Sequence, residues 1–284
     1  MFSPRFAWIY ELEKEAYLKF IAQRSVRMNT QEELYMSHEM GISNKPEKLD
    51  TYEVIYSGRA GENLTYQASA FLNKNKVIAW EGSLRRSALI GELQTFGLEF
   101  ETQYKKDNFN IGASHSFVKQ LDWELDDEVA ASGISYSDYY YNTGSGIILS
   151  KGNDLANWSN HATKLFMNAD FLDGKLTLHG DMRTLWGFEG YKDGMDALEE
   201  AGGTPEIIAA MHDHDVFDLE ITANVSLTYH INKSADLTVF VHNIPVIGEN
   251  KRYSYSSGYR KIYPDKTSWI EEPTVVGVQY RFRF

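Results

Sequence analysis

The 284-residue chain has no cysteine and a formal net charge of -12. That excludes a disulfide scaffold and cysteine metal sites, and it argues against nucleic acid as a partner. Aromatic residues make up 14% of the chain, yet no run of about 20 apolar residues occurs, so no transmembrane helix is expected. The membrane route left open is a β-barrel, because lipid offers no other way to satisfy backbone polar groups. The opening Met1-Phe2-Ser3-Pro4-Arg5 has no basic stretch, apolar core or small-residue cleavage site, so no secretion signal is read there.

Taken in order, alternating segments predict about eleven strands, at 5–12, 16–26, 50–60, 64–75, 93–105, 109–119, 162–172, 175–186, 216–231, 236–244 and 274–284. In 64–72, Leu64, Tyr66, Ala68, Ala70 and Leu72 share one face, with Thr65, Gln67 and Ser69 opposite. In 109–117, Phe109, Ile111, Ala113, His115 and Phe117 oppose Asn110, Gly112, Ser114 and Ser116. In 219–231, Leu219, Ile221, Ala223, Val225, Leu227, Tyr229 and Ile231 oppose Glu220, Thr222, Asn224, Ser226, Thr228 and His230. At the end, Val276, Val278, Tyr280, Phe282 and Phe284 oppose Gly277, Gln279, Arg281 and Arg283. An apolar, aromatic face backed by a polar one is what a strand between lipid and a wet lumen requires. An edge strand of a soluble sandwich is the alternative for the last segment alone.

The predicted connections alternate in length. Short ones fall at 13–15, 61–63, 106–108, 173–174 and 232–235. Long ones fall at 27–49, 76–92, 120–161, 187–215 and 245–273. Outer-membrane barrels have this asymmetry, with tight periplasmic turns and long external loops. The fold class is therefore all-β, an antiparallel transmembrane β-barrel segment. The last strand runs inward to the periplasm, as does the first, so Met1 is expected outside. An odd number of strands cannot close by antiparallel pairing alone, so an incomplete barrel is expected. A twelfth strand would make a self-contained channel or adhesin instead.

Several segments resemble the C-terminal half of a TonB-dependent receptor barrel. Ser3-Pro4-Arg5 through Tyr10 resembles that family's "SPR" strand. Arg24-Ser25-Val26-Arg27-Met28-Asn29 with Glu33-Leu34-Tyr35 resembles "FRAP…EL", although Val26 replaces Phe and Asn29 stands where Pro is usual. Asn44-Lys45-Pro46-Glu47 with Thr51-Tyr52-Glu53 resembles "LKPE…YE". Ile90-Gly91-Glu92 with Gly97-Leu98-Glu99 resembles the "GVE" strand. Asp154-Leu155-Ala156-Asn157 before His161 resembles "LPN…PH" without its prolines, and His242-Asn243-Ile244 resembles the "NL" ending. Glu272-Pro273-Thr274 and the closing strand resemble the terminal "P-R-T…YRF" pattern.

The resemblance implies half of a barrel of about 22 strands, taking up a siderophore, metal chelate or similar nutrient. Residues 1–284 would be the C-terminal part of the barrel, with no plug domain. Implied partners are outer-membrane lipid, the barrel-assembly machinery, the missing barrel half and plug, and, through that plug, the inner-membrane energy-coupling complex. The assembly signal would be Val276, Val278, Tyr280, Phe282 and Phe284. The implied location is the bacterial outer membrane.

Aromatic-rich external loops offer Trp123, Tyr139, Tyr140, Tyr253, Tyr255 and Tyr259 as candidate ligand contacts, because aromatics bind at low entropy cost. The same residues suit an interfacial girdle. His212 and His214, flanking Asp213, are a candidate metal pair; a solvated acidic loop end is the other reading. Glu99, Glu101, Arg183, Glu220, Arg281 and Arg283 are expected to line the lumen. Residues 193–211 read as a short loop helix. No Gly-x-Ser-x-Gly, Walker A or His-Glu-x-x-His pattern occurs, so no enzyme is expected, and no cofactor. An outer-membrane hydrolase is the remote alternative.

Overall fold

A computed structural model describes residues 2–39, 45–81, 86–127, 131, 159–189, 219–248, 251–253, 269–271 and 273–283. The strands are β1 (Arg5–Glu13), β2 (Ala16–Arg27), β3 (Glu47–Ala60), β4 (Leu64–Glu81), β5 (Arg86–Lys106), β6 (Phe109–Leu125) and β7 (His161–Phe171). They continue as β8 (Leu176–Trp186), β9 (Glu220–Asn232), β10 (Ala235–Ile247), β11 (Lys251–Tyr253), β12 (Trp269–Glu271) and β13 (Val275–Phe282), and α1 (Gln31–Glu39) lies between β2 and β3. One antiparallel sheet of 11 strands holds β1 to β10 in sequence order, then β13. β1 and β13 are its two edges, and the sheet is not closed among the described residues.

Register makes the faces continuous. One row across the sheet reads Trp8, Phe20, Val54, Ala70, Leu98, Phe117, His161, Trp186. Near the other edge, Leu178, Leu227, Val239 and Val278 form a second row. These side chains are not a buried core: Phe6 is 65% exposed, Val276 71% and Val278 68%. A soluble sheet would cover so wide an apolar surface. A sheet whose outer face meets hydrocarbon leaves it bare, and only a few apolar residues such as Ile21, Ile55, Val77 and Ile90 are enclosed by protein.

The turns at the short end need unusual backbone. Between β7 and β8, Leu172, Asp173 and Gly174 have φ of 54°, 54° and 78°, the left-handed region that Gly and Asp tolerate best. At the other end the structure corrects several expectations. The expected 76–92 loop is a strand hairpin, with β4 reaching Glu81 and β5 starting at Arg86. Asn73-Lys74-Asn75-Lys76 lacks apolar alternation because this stretch stands beyond the apolar band. The backbone ladder continues there, and Lys74 and Lys76 reach Glu92 at 3.2 and 3.9 Å.

β6 runs on to Leu125 past a bulge opposite Gln94 and Thr95, which an alternation pattern cannot follow. The 27–49 loop contains α1. Within the expected last loop, β10 continues to Ile247, and β11 and β12 pair antiparallel over three residues each. The expected helix at 193–211 lies outside the described residues.

Candidate functional site

The face opposite the apolar band carries the polar residues of every long strand, and their side chains bond across the strands. At the short-turn end a chain of contacts takes one residue from each of five neighbours. The Thr177 hydroxyl on β8 donates to Asp170 on β7 at 2.6 Å and lies 3.0 Å from His230 Nε2 on β9. His230 Nδ1 lies 2.8 Å from Asp236 on β10, and Arg283, just past β13, donates to the other Asp236 oxygen at 2.6 Å. The Asp236 side chain is 6% exposed, that of Arg283 52%. A buried carboxylate needs such partners, because without them its desolvation goes unrepaid.

A second chain lies nearer the middle of the strands. His179 Nδ1 is 2.7 Å from Asn168 Oδ1, and its Nε2 is 3.2 Å from Asp181. Asn224 donates to Asp181 at 2.8 Å and accepts the Asn243 backbone N–H at 2.8 Å. Asn243 is left-handed, with φ 56°, beside the irregular β9–β10 register at Val241 and Ile244.

Of the expected lumen residues, Arg183 meets Glu220 at 3.4 Å and Arg283 meets Asp236. Glu99 and Glu101 lie two apart on β5, facing Ser116 and Ser114 of β6 in the register. Asp181, His230 and Asp236 were not singled out from the sequence. Alternation puts His230 on the polar face, but its partners lie on other strands and emerge only from register.

Toward the rim that bears the long connections, α1 is tied to the sheet. Thr30 and Glu33 cap its start reciprocally: the Thr30 N–H donates to Glu33 Oε2 at 2.7 Å, and the Glu33 N–H donates to Thr30 Oγ1 at 3.2 Å. The Thr-x-x-Glu spacing was the available sign of this helix. Arg27 donates to Glu33 at 3.3 Å and to Glu47 at 2.6 Å, joining the end of β2, the helix start and the beginning of β3. Burial pushes the Glu33 carboxyl up, but the Thr30 N–H and the Arg27 guanidinium outweigh it and hold the group below its ordinary value. Lys45 reaches Asp126 past the end of β6 at 3.0 Å.

Trp123 is half-buried on β6 at this rim, with its ring against the backbone of Gly91 on β5. Tyr253 falls on β11. Tyr139, Tyr140, Tyr255, Tyr259, His212, His214 and Phe284 lie outside the described residues. Val276, Val278, Tyr280 and Phe282 share the outer face of β13 and pair with β10 in register.

Residues 1–244 match the family model described as TonB dependent receptor-like, β-barrel. No curated protein matches the chain significantly in sequence. Solved structures similar to it include the FrpB iron transporter from Neisseria meningitidis, at 12% identity and a TM-score of 0.62, covering 99% of this chain and 39% of that one. The ferric citrate transporter FecA is similar at 15% identity and a TM-score of 0.61, covering 99% and 38%. The siderophore receptor PiuA from Acinetobacter baumannii is similar at 13% identity and a TM-score of 0.53, covering 98% and 35%. At these identities the likeness is one of fold. The chain spans little more than a third of the length of these structures.

Proposed function

The chain belongs to the TonB-dependent receptor β-barrel family, and from that premise we propose that it forms the C-terminal part of an outer-membrane receptor that takes up a siderophore, metal chelate or similar nutrient. Members of this family reside in the outer membrane of Gram-negative bacteria, and the bare apolar band belongs in that setting. The observation that carries the reading is the open 11-stranded sheet with an apolar outer face and a hydrogen-bonded polar inner face. Its two edge strands run in the same direction, so antiparallel closure takes an odd number of further strands. That supports a larger barrel built with a second segment. The family and its structural neighbours are receptors and transporters, not enzymes.

In this reading lipid covers the outer face. The barrel-assembly machinery reads Val276, Val278, Tyr280, Phe282 and Phe284. The polar inner face meets a plug, through which the inner-membrane complex supplies energy. External loops, including the segments around Trp123, Tyr139, Tyr140, Tyr253, Tyr255 and Tyr259, contact the ligand. Residues 1–284 are then one portion of the receptor.

An antibody against residues 245–273, applied to native outer-membrane fractions, tests the size of the product. A band more than about twice the mass of this chain supports the receptor. A heat-modifiable band at the chain's own mass indicates a small closed barrel, which conductance measurements would then examine. Gene deletion that leaves growth unchanged on iron chelates, on other metal chelates and on limiting nutrients of similar size overturns uptake as the function.

A further inference from the structure

Two histidines stand on the outer, apolar face, where an ionisable side chain needs a reason. His161 begins β7, where a long connection enters, and His115 lies on β6, six residues in from its short-turn end. Their rings are half-buried, and His115 Nε2 is 3.3 Å from His161 Nδ1. Each ring is also held by a second contact. His115 Nδ1 lies 2.8 Å from the Thr163 hydroxyl of β7. His161 is stacked on Trp186 of β8, with centroids 3.7 Å apart and planes 3° from parallel, and Phe117 flanks it at 4.8 Å.

We propose that His115 Nε2 and His161 Nδ1 form a two-imidazole chelate for a divalent transition ion of the zinc class on the outer face of the sheet. Two nitrogens each about 2.0–2.1 Å from a tetrahedral ion are separated by about 3.4 Å, close to the 3.3 Å between the observed pair. Next comes the proton. If the Thr163 oxygen accepts the Nδ1 proton of His115, Nε2 is left with its lone pair toward His161, the orienting role that an outer partner plays for a metal-binding histidine.

Stacking on Trp186 fixes the plane of the second imidazole and presents Nδ1. Borderline ions prefer imidazole, so the donor set selects against calcium and magnesium. Among the described residues no third His, Cys, Asp or Glu joins the pair, so the sheet itself supplies two ligands. Its position on the outer face, across the sheet wall from the inner polar chains, separates this site from the path proposed for a transported ligand.

Cobalt(II) is the probe, because its visible spectrum reports tetrahedral nitrogen coordination. The full-length protein, folded in detergent with no histidine tag, is titrated with Co2+, and Zn2+ is then added in competition. His161→Phe keeps the stack on Trp186 and removes the nitrogens; His115→Ala removes the other ligand. Both are expected to abolish the spectrum while retaining heat-modifiable mobility. Thr163→Val is expected to weaken Co2+ binding by roughly 10-fold, as loss of an orienting partner does. His212→Ala with His214→Ala is expected to leave the spectrum unchanged. A wild-type protein that shows no tetrahedral Co2+ spectrum overturns the proposal whatever the variants do. So does a spectrum that survives His161→Phe or disappears only with the 212 and 214 substitutions; the contact would then be a hydrogen bond between imidazoles.

Discussion

The ring of Phe240 on β10 occupies the space that a Cβ on Gly277 of β13 would need. The two residues pair directly in the register on the inner face. The same arrangement recurs with Phe71 over Gly97 and Phe166 over Gly112. A glycine in a strand interior is weak by itself, with more entropy to lose and nothing to pack. Here the neighbouring ring covers the bare backbone. Gly277→Val is therefore expected to weaken docking of β13 by about 1–3 kcal/mol, the usual range for overpacking. Phe240→Leu in the same protein should recover part of that loss. Urea unfolding of the protein in lipid vesicles, carried out as a double-mutant cycle, measures the coupling; strict additivity would refute it.

The contact between Arg283 and Asp236 is asymmetric. The carboxylate is nearly buried and the guanidinium half-exposed. Arg283→Gln leaves the Asp236 carboxylate with His230 as its remaining described side-chain partner and is expected to lower stability. Asp236→Asn leaves Arg283 free to be hydrated and should cost less. The double substitution is expected to be more stable than Arg283→Gln alone, because no charge is then stranded. Equilibrium unfolding of the three variants decides the order.

The cap of α1 gives a pH dependence with a definite sign. Glu33 titrates below its ordinary value in the folded protein, so its contribution is present above the unfolded value of about 4.3. It is lost as pH falls through the lower folded value. Protection against hydrogen exchange across residues 30–39, taken relative to the intrinsic rate at each pH, should be higher at neutral pH and fall on acidification. Glu33→Gln should remove that pH dependence of the protection. Thr30→Ala should cost the helix about 1 kcal/mol at neutral pH, as loss of a cap does.

Adjacent residues of β9 test which face meets lipid. Val225 is on the outer face, 43% exposed, and Ser226 is on the inner one. Val225→Arg is expected to destabilise the inserted protein by about 2–4 kcal/mol if that position lies near the bilayer midplane. Ser226→Arg should change stability far less, because its charge enters water. Heat-modifiable mobility in membrane fractions, followed by unfolding in vesicles, separates the two. Equal losses would mean that the faces are misassigned.

The extent of each strand was legible wherever one face is apolar. β1, β2, β8 and the long run of β9 fall within a few residues of where alternation puts them. Alternation failed from Lys76 onward, where β4 continues to Glu81 beyond the expected end at residue 75. It failed again at the β6 bulge, where the phase changes. The contacts that bind the inner face together were not readable, because Asp170, Thr177, His230, Asp236 and Arg283 are brought side by side by register across five strands. Trp123 was legible as an aromatic near the rim, but its packing on Gly91 was not.

By itself the sequence determined the class of fold, the two chemically opposite faces and the alternation of short and long connections. These follow from a period of two and from local turn chemistry, both properties of neighbouring residues. Tertiary structure decided which side chains meet: His115 with His161, Asp236 with His230 and Arg283, and the phenylalanines over glycine. Strand pairing joins residues far apart in the chain, and a shift of one residue would send each of those side chains to the opposite face.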